Sequence, residues 1–195
     1  MSRRLILAVL VAAGGVAQAD DSERPKTEPS DQIIGVSLGL AIGGRLTPGG
    51  VRIAGSYHYQ LSDNDWFDGR ASFTFGSGAP ACFRDRIDNV ICDHGMIDGD
   101  GVEISANVRR FFGRGEYTPF ARLGIGAGLV YFGGDRVSGI AFPLHAGGGL
   151  RIALTHLLAL MAEAELEVGV GVFNRDIGAQ PQVGASIAAG VEFNL

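Results

Sequence analysis

The sequence predicts an all-β protein: an eight-stranded antiparallel up-and-down transmembrane β-barrel that occupies residues 31–195. Three observations predict this fold. Eight segments alternate between apolar residues and small or polar residues, most of them reach the length of a strand that crosses a bilayer at a tilt, and their connections alternate between tight turns and longer loops.

The first 19 residues have the pattern of a cleaved secretory signal. Arg3 and Arg4 precede the apolar run 5–13, and the small residues Ala17 and Ala19 come just before Asp20. We expect residues 1–19 to be removed and the charged, proline-containing residues 20–30 to form a flexible periplasmic tail. Removal of two arginines and no acids takes the formal net charge from −5 to −7, and this acidity argues against a nucleic-acid partner.

The first four segments separate large apolar residues from small and polar ones. Segment 34–42 carries Ile, Val and Leu at even positions, and segment 51–61 carries Val, Ile, Gly, Tyr and Leu at odd positions. Segment 67–75 sets Phe, Gly and Ala against Asp, Arg, Ser and Thr. Segment 102–112 is apolar at even positions except for Arg110, which we expect at a headgroup boundary where its charge reaches water.

The last four segments, 121–131, 140–152, 158–172 and 183–195, continue this alternation. The third of them carries Glu163, Glu165 and Glu167 at alternate positions of an otherwise apolar run. Its composition also suits a helix, but Glu163 and Glu167 would then repel each other and the apolar residues would surround the helix axis. A strand separates every charge from every large apolar residue, and we therefore predict a strand.

The connections predict which end of the barrel faces outwards. Tight polar turns near 62–65, 113–116 and 155–156 separate the candidate loops 44–50, 76–100, 133–139 and 173–181. Short turns at one end and longer loops at the other are typical of an outer-membrane barrel. An even number of strands returns both termini to the periplasm, so the loop 76–100 faces outside the cell.

The same alternation also describes a soluble ligand-binding barrel, with the apolar face inside. We favour an apolar face in lipid because glycine and alanine dominate the other face, where they leave room for long side chains of neighbouring strands. The strand lengths agree with this orientation. Aromatic residues also gather near segment ends, where the interfacial girdles of a membrane barrel lie: these are Trp66, Phe67, Phe112, Tyr117, Tyr131 and Phe193.

The polar face carries five arginines and six acids, which we expect to neutralise one another in the narrow interior. A barrel of about eight strands has space only for side chains, so this interior ion-pair network is predicted to plug it. His58 and His145 share the same face and are expected to belong to the network. The charged members are Arg52, Arg70, Arg109, Arg122, Arg151, Asp68, Glu103, Glu163, Glu165, Glu167 and Glu192.

With its signal, its eight alternating segments and a last segment VGASIAAGVEFNL that is apolar at alternate positions, the chain resembles the small outer-membrane barrels of the outer-membrane protein A, X and W kind. The resemblance covers about residues 31–195 and rests on pattern. It implies the cell outer membrane as the location and outer-membrane lipid and the barrel-assembly machinery as partners. In that group the final residue is usually aromatic, whereas this chain has Leu195 at that position and Phe193 two residues before it.

Cys82 and Cys92 lie in the polar stretch PACFRDRIDNVICDHG. An exported chain meets an oxidising compartment, so we expect one disulfide bond that closes a loop. The alternative is a metal site that adds His94 or Asp93, but it lacks a clear fourth ligand.

No arrangement of residues predicts catalysis or a cofactor. The apolar face carries no Ser or His, which excludes the lipid-facing catalytic groups of lipid A deacylases, and the glycine runs lack the spacing of a phosphate loop. Alternate glutamates on one strand lie about 6.6 Å apart, too far to hold one cation without partners from other strands. No metal site is therefore predicted, and a weak calcium contact in the loop sequence IDGDG is the less favoured interpretation of those acids.

The function expected from these observations is that of a non-enzymatic integral outer-membrane barrel with a structural role in the envelope or an outer surface that binds a partner of unknown identity. A narrow channel for ions or small solutes is the alternative, because glycine-rich inward faces leave some room. A hydrolase in the outer loops, using His94, Asp93 and Asp98, is the least favoured.

Overall fold

The computed structural model describes residues 31–77, 82–84, 90–92, 95–134 and 136–195, with the backbone alone for 82–84 and 90–92. The predicted signal peptide 1–19 and tail 20–30 lie outside these ranges. In the part of the chain that is described, no helix is long and apolar enough to cross a membrane. The strands are β1 (Gln32–Ile42), β2 (Gly50–Gln60), β3 (Asp65–Phe75), β4 (Cys82–Arg84), β5 (Val90–Cys92), β6 (Asp100–Phe111), β7 (Tyr117–Phe132), β8 (Val137–Ala153), β9 (Leu158–Phe173) and β10 (Gly178–Asn194).

Eight of these strands form a closed antiparallel barrel in the order β1-β10-β9-β8-β7-β6-β3-β2. Strand β1 closes it, since Leu38 pairs with Ala189 of β10 on one edge and with Ile53 of β2 on the other. Closure leaves no unpaired strand edge, which is the condition for β-structure in a bilayer. The predicted eight-stranded antiparallel barrel is confirmed.

The segment between β3 and β6 differs from the prediction of a simple loop. It contains the two short strands β4 and β5, which pair as a separate two-stranded sheet. In this ribbon the backbone of Cys82 lies directly opposite that of Cys92.

Large apolar side chains cover the outer surface of the barrel, as the alternation predicts. Leu123, on the outward face of β7, is 67% exposed, although a large apolar group normally avoids water. A contiguous surface of this kind fits the hydrocarbon core of a bilayer. The one arginine on this face, Arg110, lies near the end of β6, where its Nε atom is 3.0 Å from Oδ1 of Asp65.

Five of the six aromatic residues predicted to lie in interfacial girdles are exposed on the outer surface, and the sixth, Trp66, is not. Trp66 is buried inside the barrel, so its assignment to a girdle was wrong. It is the second residue of β3 and shares the inward face with Asp68, and its ring packs edge-on against Phe111 at a centroid distance of 6.1 Å. The exposed aromatic residues include Tyr57, Tyr59, Phe67, Phe73, Phe75, Phe112, Tyr117, Tyr131, Phe142 and Phe193.

We call the end that carries both termini the periplasmic end and the opposite end the outer end. Two outer connections, 133–136 and 174–177, are shorter than the predicted loops 133–139 and 173–181, because β8 and β10 begin earlier. In the second, Arg175 and Asp176 have φ values of 58° and 64°. Two consecutive positive φ angles are the signature of a type I′ turn, which reverses the chain tightly and extends both strands.

Strand β8 contains Pro143, and the ladder between β7 and β8 is interrupted beside it. Ile125 pairs with Leu144 and Gly128 with Ala141, but the described pairing skips the residues between them. Proline has no backbone N–H to donate, which accounts for this break. The interruption lies next to His145, a buried residue of the interior.

Candidate functional site

The inward side chains form four layers along the barrel, which we name from the periplasmic end outwards. They are the inner apolar cluster, the periplasmic-side ionic layer, the outer-side ionic layer and the outer apolar cluster. The inner apolar cluster consists of Ile33, Trp66, Phe111, Phe120 and Met161. The outer apolar cluster consists of Leu46, Val130, Phe132, Val137, Ala141 and Phe173.

The periplasmic-side ionic layer pairs three arginines with three acids and also contains His58. Arg70 donates two parallel hydrogen bonds to Glu163, at 2.5 Å from Nη1 to Oε1 and 3.0 Å from Nη2 to Oε2. This is the fork geometry in which guanidinium and carboxylate match best. The charged members of the layer are Arg70, Arg109, Arg151, Asp68, Glu163 and Glu192.

Arg109 is the most enclosed cation of this layer, with a side chain that is 1% exposed. It donates to Glu192 at 2.5 Å and to Asp68 at 3.3 Å. Its guanidinium carbon also lies 4.5 Å from the centroid of the Phe120 ring, within the range of a cation–π contact. The inner apolar cluster therefore packs directly against the ionic layer above it.

Glu192 also accepts a hydrogen bond from Nε of Arg151 at 2.9 Å, so it has two arginine partners. His58 lies between the acids of this layer, with Nδ1 3.6 Å from Asp68 and Nε2 3.9 Å from Glu192. The hydroxyl of Ser56 is 2.9 Å from the same Nε2 atom. In this layer the number of arginines equals the number of carboxylates.

Arg122 connects the two ionic layers. Its Nη1 atom lies 3.4 Å from Asp68 and 3.2 Å from Glu163, and its Nη2 atom is hydrogen-bonded to Oε2 of Glu165. The side chain is 2% exposed. One guanidinium thus reaches acids of both layers.

The outer-side ionic layer consists of Glu103, Glu165, Glu167, Arg52 and His145, together with the shared Arg122. Arg52 donates from Nη2 to Oε2 of Glu167 at 2.9 Å and from Nε to the hydroxyl of Thr74 at 3.0 Å. Its contact with Oε1 of Glu165 is longer, at 3.7 Å. Glu165 and Glu167 therefore share Arg52 and Arg122, and Arg122 also contacts acids of the other layer.

His145 lies among these carboxylates and is 2% exposed. Its Nε2 atom is 3.0 Å from Oε1 of Glu103 and its Nδ1 atom is 3.3 Å from Oε1 of Glu165. Neither nitrogen has hydrogen-bond geometry to a partner in the described structure. His145, Glu165 and Glu167 each offer one possible metal-ligand atom, and these three atoms lie within 4.8 Å of one another. The three residues are therefore placed to hold a metal ion.

Glycines on the inward face make room for these long side chains. A Cβ atom at Gly126 would lie 2.8 Å from Nε2 of His145, so the packing of this imidazole favours glycine there. A Cβ atom at Gly149 would lie 2.0 Å from the carbonyl oxygen of Ala162, so at that position the close approach of β8 to β9 requires glycine.

All eleven charged residues of the predicted network face the interior, and one continuous series of contacts connects them from Arg151 to Glu103. Sequence reasoning missed the buried apolar residues at both ends. The alternation along the strands contained the information needed to predict them, because Phe111, Phe132 and Phe173 are each the last residue of their strand and lie on its inward face. It also missed the inward fold of the connection 43–49, where Leu46 and Thr47 are buried.

The other predicted site residues lie elsewhere. The side chains of Cys82 and Cys92 and the residues Asp93 and His94 are outside the described residues. Asp98 is described, and its side chain accepts a hydrogen bond from the backbone N–H of Gly99 at 2.7 Å.

Comparison with protein-family models finds no match, and comparison with curated protein sequences finds none. The fold, however, is similar to that of solved structures. Neisserial surface protein A has a TM-score of 0.63 and 17% identity over 85% of this chain and 98% of its own. The amino-terminal β-barrel domain of Pseudomonas aeruginosa OprF has a TM-score of 0.52 and 14% identity over 84% of this chain and 98% of its own.

Both are small eight-stranded outer-membrane β-barrels. This chain has the same fold. At these identities the likeness concerns the fold alone, and it agrees with the apolar outer surface described above. Fold and surface together point to the cell outer membrane and to association with membrane lipid.

Proposed function

We propose that this chain is a non-enzymatic integral outer-membrane protein whose closed, non-conducting barrel has a structural role in the envelope and presents its outer segments, above all 76–99, at the cell surface. The interior is plugged by arginine–carboxylate ion pairs that lie between two apolar clusters. The observation that carries the proposal is the arrangement of inward side chains, with a buried apolar cluster at each end of the lumen and ion pairs between them.

The connection 43–49 supports a closed outer end. The side-chain amide of Gln182 donates to the carbonyl of Leu46 at 2.8 Å, and the hydroxyl of Thr47 accepts from the backbone N–H of Val183 at 3.1 Å. On the other side, the N–H of Gly43 donates to Met96 at 2.8 Å. The connection is thus fixed to β10 and to the segment before β6, with Leu46 in the outer apolar cluster.

The energetics also support a closed lumen. An ion crossing the barrel would have to displace apolar side chains at both ends and separate buried arginines from their carboxylates. Leaving one partner of a buried ion pair without its counter-charge costs about 3–5 kcal/mol. Several such pairs lie in series here, so thermal opening is expected to be negligible.

Conductance measurement tests this proposal. The full-length mature chain, inserted into planar lipid bilayers, is expected to give no current steps over a range of salts and voltages. A shift in gel mobility between heated and unheated samples serves as the control that the barrel has folded. Reproducible steps from the folded wild-type protein, abolished when Leu46→Trp enlarges the outer plug, would instead establish the narrow channel.

We also infer that Cys82 and Cys92 form a disulfide bond at the cell surface. The support is their exported location and the backbone register that sets them opposite each other in the β4–β5 ribbon. A membrane-impermeant thiol reagent should label whole cells only after reduction. Labelling without reduction would contradict the bond, and protection after reduction would contradict the outward topology.

The remaining partners follow from the same proposal. Strand β10 carries alternate apolar residues up to Phe193 and pairs with β1 to close the barrel, and we propose that the barrel-assembly machinery recognises this last strand. Residues 1–19 act as the signal, so the mature protein is expected to begin at Asp20. Amino-terminal sequencing of protein from the membrane fraction measures this directly.

A further inference from the structure

We propose that His145, Glu165 and Glu167 form a binding site inside the barrel for a divalent transition-metal ion such as Zn²⁺. One ligand atom from each of these residues lies within 4.8 Å of those of the other two. Imidazole nitrogen and carboxylate oxygen are ligands that zinc accepts together. The two glutamates are alternate residues of β9, and the register of β8 places His145 directly opposite Glu167.

The separation between Nδ1 of His145 and Oε1 of Glu165 supports a metal between them. These atoms are 3.3 Å apart, which is longer than a good charge-assisted hydrogen bond. Two ligands at about 2.0–2.1 Å from a tetrahedral zinc ion are separated by about 3.3 Å. The observed distance therefore matches that between two ligands of one zinc ion.

The imidazole of His145 is the second, independent indication. It is 2% exposed, and neither of its nitrogens has hydrogen-bond geometry to a partner among the described residues. A buried polar group without a bond is costly, so such a group calls for an explanation. A metal bound to Nδ1 accounts for that nitrogen and leaves the ring proton on Nε2, whose nearest carboxylate oxygen is Oε1 of Glu103 at 3.0 Å.

The charge of the layer favours a cation at this point. The periplasmic-side layer holds three carboxylates and three arginines. In the outer-side layer, Glu165 and Glu167 pair with Arg52 and the bridging Arg122, whereas Glu103 lies beside His145. The closest arginine contact of Glu165 and of Glu167 uses Oε2 in each case. The excess carboxylate of the interior therefore lies beside His145.

The test uses the untagged, full-length mature protein, refolded in detergent and freed of metal. Addition of Co²⁺ is expected to produce a saturable visible absorption spectrum that Zn²⁺ then displaces. Saturating Zn²⁺ should also raise the temperature at which the folded barrel loses its fast gel mobility. A wild-type barrel with neither a cobalt spectrum nor saturable zinc uptake overturns the proposal and leaves His145 as a member of the ion-pair network.

His145→Asn is expected to weaken Co²⁺ and Zn²⁺ binding at least tenfold. Glu103→Gln, which removes the negative charge of the group facing the second nitrogen, should weaken it about tenfold. His58→Asn is the matched control. His58 is equally buried and also lies between two carboxylates, but in the balanced layer, so its substitution should leave metal affinity unchanged.

Gel mobility before heating shows whether each variant has folded. If His145→Asn does not fold, Glu167→Gln gives the same answer, because its carboxylate is partly exposed and its loss should weaken metal binding while the barrel persists. Equal affinity in the wild type and in either ligand variant overturns the site. The metal titrations do not bear on conductance, so the proposed closed barrel is tested separately from the metal site.

Discussion

The two ionic layers of the barrel have the same kinds of side chain but differ in balance and in access to water. In the periplasmic-side layer, three arginines face three carboxylates, and its most enclosed groups, Asp68, Arg109 and Glu192, are no more than 1% exposed, although Arg151 retains 16%. In the outer-side layer, Arg52 and Glu103 retain 13% and 15% exposure, and the acids outnumber the cations.

From this difference we infer that ion pairs in one lumen serve two purposes. A balanced layer with a dry centre is stabilising only while it is complete, because a missing partner in that centre leaves a charge that neither water nor protein solvates. A partly hydrated layer with an excess of acid tolerates change and can accept a further cation. The predictions below separate these purposes, beginning with the largest effect.

Arg109→Met should destabilise the barrel by about 3–5 kcal/mol, since it leaves Glu192 and Asp68 buried without their shared cation. Chemical unfolding of the protein in lipid vesicles measures this free energy. Arg52→Met is the matched control in the outer-side layer and should cost less than half as much. Equal losses for the two variants would show that the layers do not differ.

Leu166→Glu should hinder membrane insertion and cost about 2 kcal/mol, because Leu166 faces lipid at 62% exposure and a carboxylate there loses its hydration. The fraction of protein that folds into vesicles, read from unheated gel mobility, measures the effect. Its neighbour provides the comparison. Glu165→Leu should still insert, but with reduced stability, because it removes the partner of Arg122. Equal insertion and equal stability of both variants would mean that the inward and outward faces are assigned wrongly.

Glu167→Gln should change the stability of the metal-free barrel by less than about 1 kcal/mol, in the range of partly exposed ion pairs. Removing one acid brings the outer-side layer closer to balance and offsets the lost contact with Arg52. The same change at Glu192, which has two arginine partners and is 1% exposed, should cost more. A larger loss at Glu167 than at Glu192 would reverse the assignment of the two layers.

Strand parity made the fold and the inward charges predictable from the sequence. A period of two assigns each residue to one face, and closure of eight strands leaves the charged face only the lumen. The pairs themselves were not predictable. Arg70 and Glu163 are 93 residues apart, and whether they meet depends on the stagger of every strand between them.

The errors have physical causes in particular residues. Trp66 was assigned by its position near a strand end, although its parity with Asp68 places it inside. The turn at Arg175 and Asp176 was hidden because its two positive φ angles are adopted by residues other than the usual asparagine and glycine. His145, Glu165 and Glu167 come together only through the register of β8 and β9, which alternation along one strand does not contain.

The inward connection 43–49 has a consequence for the order of folding. It follows the first strand of the barrel, yet two of its bonds reach Gln182 and Val183 in the last strand, 136 residues away along the chain. Contacts of such high sequence separation form late, because the intervening chain must be ordered first. We therefore expect the connection 43–49 to dock only after β10 has paired with β1, so that slow hydrogen exchange at the N–H of Val183 reports a closed barrel.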